Sequence, residues 1–208
     1  MKDVLELLGS VPVTKETVAS LYPKVSGANQ KVAALVHSGK LLRLKRGLYV
    51  VNPQWSEKRI NIELVANHIY SPSYISLQTA LRWYGLIPER VARIQSMTVK
   101  HSRRFENPLG VFDYTCVTRD YFPIGIRQEQ TEDGSFIIAS PEKALCDLVI
   151  STAGVNLRYV SQAREFLEED LRFEMNAFWN LDKNIFIQCA KAGKKSKSIE
   201  TIVNLLER

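Results

Sequence analysis

The chain has 208 residues, 45% of them hydrophobic and 24% charged, with a net charge of +6, an ordinary composition for a soluble globular protein. Its length suits one small module beside one larger unit able to bury its own core. Three scattered cysteines (Cys116, Cys146, Cys189) exclude a disulfide framework and a cysteine-rich zinc site, and no apolar run nears the ~20 residues of a membrane span, so a cytoplasmic location is expected.

Residues 3–8 are predicted as a short helix with an apolar stripe of Val4, Leu5, Leu7 and Leu8, stopped by Gly9-Ser10. Thr14 is placed to cap a second helix that ends near Leu21, ahead of Pro23. Ser26 is placed to cap a third, over about 27–38, whose Ala28, Val32, Leu35 and Val36 share one face. Gly39 follows as a left-handed terminator. Residues 41–51 read as two strands about an Arg46-Gly47 turn, with Leu42 and Leu44 on one face and Arg43 and Lys45 on the other. Asn52-Pro53-Gln54 breaks the pattern, dividing the chain into a first domain of 1–53 and a second of 54–208.

In the second domain, helices are expected over about 57–69 and from Ser76 to Gly85. Four β-rich segments, 95–100, 111–117, 122–128 and 135–139, predict a small and mostly antiparallel sheet. Ser140 caps a helix to about 152, and 156–208 is helical throughout. The fold class is therefore α+β: an N-terminal winged helix-turn-helix, then a mixed domain with a small antiparallel sheet and C-terminal helices.

Charge is uneven along the chain. Residues 1–53 hold eight Lys or Arg against three acids, so +5 of the +6 lies in the first quarter. A solvated basic face explains that as simply as a polyanion partner does. The winged-helix plan favours the partner, because it sends the third helix into the major groove and the hairpin to the DNA backbone. Opposite the core stripe stand Gln30, Ala33, Ala34 and His37, flanked by Asn29 and Lys31. The amides suit adenine, and the small alanines let the helix seat closely. Ser26 at the helix start suits a phosphate. Arg43, Lys45 and Arg46 on the wing add salt-sensitive attraction. The expected DNA-binding set is Ser26, Asn29, Gln30, Lys31, Arg43, Lys45 and Arg46.

No enzyme is expected. His37, His68 and His101 lack metal-ligand spacing, and neither a phosphate loop nor a nucleophile elbow is present, so no metal or cofactor is expected either. The run Lys191–Lys197 reads as a solvated linker. Two stretches look more particular than a generic core: YISLQTALRWYGLIPE over 74–89, and IASPEKALCDL over 138–148. A capped helix with an apolar face explains most of each, but does not require Glu142, Lys143 and Asp147.

These two stretches, after a winged helix ending in Arg46-Gly47-Leu48-Tyr49-Val50, resemble the AbiE-type abortive-infection antitoxins, a family of transcriptional regulators, over about residues 1–150. The resemblance implies a non-enzymatic autorepressor that binds inverted repeats at its own promoter, with two copies on DNA, and counteracts a nucleotidyltransferase-like toxin. It makes Glu142 and Lys143 candidates for an antitoxin surface. A stand-alone regulator whose second domain binds a ligand or mediates oligomerisation, and an enzyme that uses the winged helix to find its substrate, stay open.

Overall fold

The computed structural model describes residues 4–23, 27–89 and 92–208, and the chain is a mixed α+β protein. A 3-10 turn over Val4–Leu8 leads to β1 (Val13–Thr14) and α1 (Lys15–Ser20). Thr14 Oγ1 accepts from the Thr17 amide at 3.3 Å, as a cap should. Then follow α2 (Ala28–His37), β2 (Leu41–Lys45) and β3 (Leu48–Val51). Strand β3 lies between β1 and β2, antiparallel to both. Gly27 holds the N-cap position of α2, while Ser26 lies outside the described residues.

Gly39 takes φ +71°. Its amide bonds the Val36 carbonyl and the Lys40 amide bonds the Leu35 carbonyl, both at 3.0 Å, which closes α2 with a Schellman turn. Leu5, Val18, Val32, Leu35, Leu41 and Val51 form a small core beneath the helices.

The hairpin departs from simple alternation. Arg43 pairs with Tyr49 and Lys45 with Leu48, leaving Leu44 as the extra residue of a bulge. Cross-strand partners share a face, so the inserted residue sends its successor to the other side. Arg43 stays on the face of Leu41, towards α2. Lys45 crosses to the opposite face, correcting the expectation that the two cations point the same way. There its ammonium donates to the Ile69 carbonyl at 2.6 Å. The bulged residue's carbonyl accepts from Asn107 Nδ2 at 3.2 Å. Leu44, Leu48 and Val50 join the larger core of the chain.

That larger part begins with α3 (Pro53–Ser56) and α4 (Ile62–Ile69). The expected start of α4 near 57 moves to Asn61, whose side chain accepts from the Leu64 amide at 2.7 Å. Next come β4 (Ser73–Ile75), α5 (Leu77–Trp83), β5 (Ile94–Thr98), β6 (Arg103–Asn107), β7 (Gly110–Cys116), β8 (Ile126–Thr131) and β9 (Gly134–Ala139). They form one six-stranded sheet in the order β6-β7-β5-β4-β9-β8. The β5–β7 and β4–β9 pairs are parallel. The expectation of a small sheet is therefore corrected: it has six strands, and three of its five pairs, β6–β7, β5–β4 and β9–β8, are antiparallel. Strand β4 is three residues long and wholly buried, so it shows no alternation. Edge strand β6, RRFEN, is too polar to announce itself.

Helix α6 (Pro141–Ser151) starts at its Ser140 cap as expected. The remainder is helical: α7 (Val160–Glu165) running into a π-helical turn over Phe166–Asp170, then α8 (Met175–Phe178), α9 (Lys183–Ala192) and α10 (Ser196–Leu206). Between α9 and α10 the basic run is not wholly a solvated linker. Lys195 Nζ donates to the carbonyls of Val149, Thr152 and Val155 at 2.9, 2.7 and 2.9 Å. A cation at the carboxyl end of α6 opposes the negative pole of that helix. Lys195→Met is expected to cost about 1.5–3 kcal/mol, read as a lower urea midpoint at unchanged slope.

Glu63, in the first turn of α4, is buried enough that its carboxyl titrates above the ordinary 4.5. The native chain keeps that proton to higher pH than the unfolded chain does. Its contribution to stability therefore falls as pH rises from 4.5 through the folded value. Glu63→Gln should remove that fall, measured as urea midpoints from acid to neutral pH.

Candidate functional site

The exposed face of α2 carries Asn29, Gln30, Ala33, Ala34 and His37, since Val32 and Leu35 turn into the small core. Between this helix and the hairpin lies an open groove of about 430 Å³. Asn29, Ala33 and His37 line one wall, and Arg43 and Tyr49 the other. Lys15, in the first turn of α1, also lines it.

The expected site residues separate in this setting. Asn29 and Arg43 both line the groove. Gln30 is exposed on the first turn of α2, and Lys31 lays its ammonium 4.7 Å from the Tyr22 ring centroid. Arg46 is exposed at the hairpin turn, where Gly47 takes φ +79°. Lys45 is away from the groove, held by Ile69. Lys15 and Tyr49 line the groove although the sequence reading does not include them. Lys15 directly follows the Thr14 cap, which is the one signal that places it at a helix end. Among the described residues, no carboxylate pairs with Lys15, Arg43 or Arg46.

The two particular stretches of sequence meet in the interior. Helices α5 and α6 pack together, and Ser76 Oγ donates to Asp147 Oδ2 at 2.6 Å instead of capping α5. Leu77, next in the chain, is held at φ +56°, a costly conformation for a branched side chain. Lys143 and Asp147 are both 0% exposed, with Nζ 3.4 Å from Asp147 Oδ1. Lys143 Nζ also donates to the Tyr121 carbonyl at 2.9 Å and lies 3.0 Å from the Tyr121 ring centroid. Glu142 Oε1 accepts from the Asp182 amide at 3.0 Å, tying the start of α6 to the start of α9.

Lys143 is thus no surface residue, and Glu142 is 8% exposed. The expectation of an antitoxin surface at these two positions is corrected: Lys143 is buried against Asp147, and Glu142 against the Asp182 amide. Burial pushes the Asp147 carboxyl up and the Lys143 ammonium down, and each partially opposes the other's shift. The Tyr74 and Tyr121 hydroxyls are buried beside the Asp147 carboxylate, and burial raises both.

No protein-family model matches the chain, and no curated protein matches it. Among the described residues there is no cluster of His, Cys, Asp or Glu able to hold a metal ion, and no helix long and apolar enough to cross a membrane. The functional reading rests on the groove, the charge distribution and the sequence motifs.

Proposed function

We propose that this protein is a DNA-binding transcriptional regulator whose N-terminal quarter acts as a winged helix-turn-helix. The observation that carries the reading is the groove flanked by α2 and the β2–β3 hairpin, with Lys15, Arg43 and exposed Arg46 around it, none paired with an acid among the described residues. In this reading α2 enters the major groove. Asn29 and Gln30 meet base edges, and Arg43 and Arg46 grip phosphates. The net +5 carried by residues 1–53 supports a polyanion partner for this part of the chain.

The test is binding of the full chain to the duplex upstream of its own gene, against a scrambled duplex of equal length. Preference for the upstream duplex supports the reading, and equal, negligible affinity for both sinks it. Gln30→Ala is expected to cost about 1–3 kcal/mol on the preferred sequence and little on the scrambled one.

The resemblance of the 74–89 and 138–148 stretches to AbiE-type antitoxins extends the proposal. The protein would repress its own promoter, two copies sitting on inverted repeats, and counteract a nucleotidyltransferase-like toxin without being an enzyme itself. Co-expression with such a toxin from the adjacent gene tests this half: restored growth supports it, and unrelieved toxicity overturns it. A stand-alone regulator whose larger part senses a ligand is the second reading, favoured by a cleft in that part.

A further inference from the structure

Strands β5 and β7 run parallel, and their carboxyl ends open onto a cleft of about 710 Å³. The opposite wall is the end of α6 and the turn between α9 and α10. In open mixed sheets ligands collect at the carboxyl ends of parallel strands, and ligand pockets commonly span about 300–1,000 Å³. Val99, Val117 and Tyr121 on the sheet side and Ile150 and Ala192 on the helix side make much of the lining apolar, with hydroxyls from Thr115, Thr118 and Ser151 among them. Gly193 lies so close to the Tyr121 ring that a Cβ there would approach it to 2.7 Å, so the α9–α10 turn lies flat against that wall.

The charged lining is of one sign. Arg119 and Lys194 stand at the cleft, both exposed, and among the described residues no carboxylate lines it. Among the described residues neither cation is paired with an acid. A largely apolar lining with two uncompensated cations matches one class of occupant: a small organic anion with an apolar body. We propose that this cleft is a ligand site for such an amphipathic anion, independent of the DNA-binding face.

Anilinonaphthalene sulfonate is a suitable probe, since it carries an aromatic body and one anionic group. Titrated into the full chain, it should bind saturably at one site. Arg119→Ala with Lys194→Ala should weaken that binding about tenfold or more, and Arg119→Lys should restore part of it. Ile150→Trp, which fills part of the cleft, should abolish it. Cys116 supplies a second readout. It lines the cleft and is exposed, whereas Cys146 and Cys189 are buried. Occupancy by the probe should slow its reaction with a thiol reagent in the wild type and not in the double variant. Undiminished binding in the double variant, no saturable binding, or equal affinity for neutral anilinonaphthalene overturns the proposal. None of these outcomes depends on whether the protein binds DNA.

Discussion

Lys143→Met is expected to destabilise the protein by about 3–5 kcal/mol, because it leaves Asp147 buried without its cation. At this chain length that corresponds to a melting midpoint lower by roughly 6–20 °C. The converse experiment separates pairing from charge. With Lys143→Met, Asp147→Leu and Ser76→Ala combined, no charge remains to be buried and Ser76 no longer lacks its acceptor. That triple variant should recover most of the loss, since buried ion pairs are often no better than a packed apolar substitute. A triple variant as unstable as the sum of its parts would refute this account.

The pH dependence carries the same signature. Asp147 titrates above its ordinary 3.8 in the folded chain, so its contribution falls as pH rises through the folded value. Lys143 titrates below 10.5, so its contribution falls as pH drops from there through the folded value. The first loss sets in above 3.8 and the second below 10.5, and the triple variant should show a flatter stability profile in both directions.

The second large effect rests on the proposed DNA binding. Lys15→Ala, Arg43→Ala and Arg46→Ala together should weaken binding to preferred and scrambled duplexes alike, at least about tenfold at low salt. The slope of log affinity against log salt should flatten by about 3, near one unit for each phosphate no longer neutralised. Lys45→Ala is the informative control. The bulge at Leu44 turns this side chain towards Ile69 at the end of α4. Its loss should lower stability and leave the salt slope in place. A slope change at Lys45 equal to that at Arg43 would contradict the hairpin geometry.

Much of the N-terminal arrangement was legible because its signals are local. Thr14, Gly39 and the Arg46-Gly47 turn each act within a few residues, and the Val32–Leu35 stripe fixes which face of α2 is exposed. The bulge was not legible, because alternating Leu and basic residues read the same with or without an inserted residue. Strand β6 was hidden by its polarity and β4 by its brevity. Lys143 and Asp147 misled for another reason. Spaced one helical turn apart, they look like an ordinary surface pair. Their burial depends on Tyr74, Ser76 and Tyr121, distant in sequence. The oddity of the two stretches was visible in advance, but not that they would meet.

The hairpin's divided loyalty bears on how portable the N-terminal quarter is. Cut after Pro53, the fragment would expose Leu44, Leu48 and Val50, side chains now in the larger core. At about 1.5–3 kcal/mol for each, roughly 5–9 kcal/mol of burial is forfeited, comparable to the whole stability of a small domain. The first 53 residues are therefore not a cassette to graft onto another protein. Whatever surface α2 presents is aimed by the body behind it, and inheritance of one without the other would leave a sticky, poorly folded remnant.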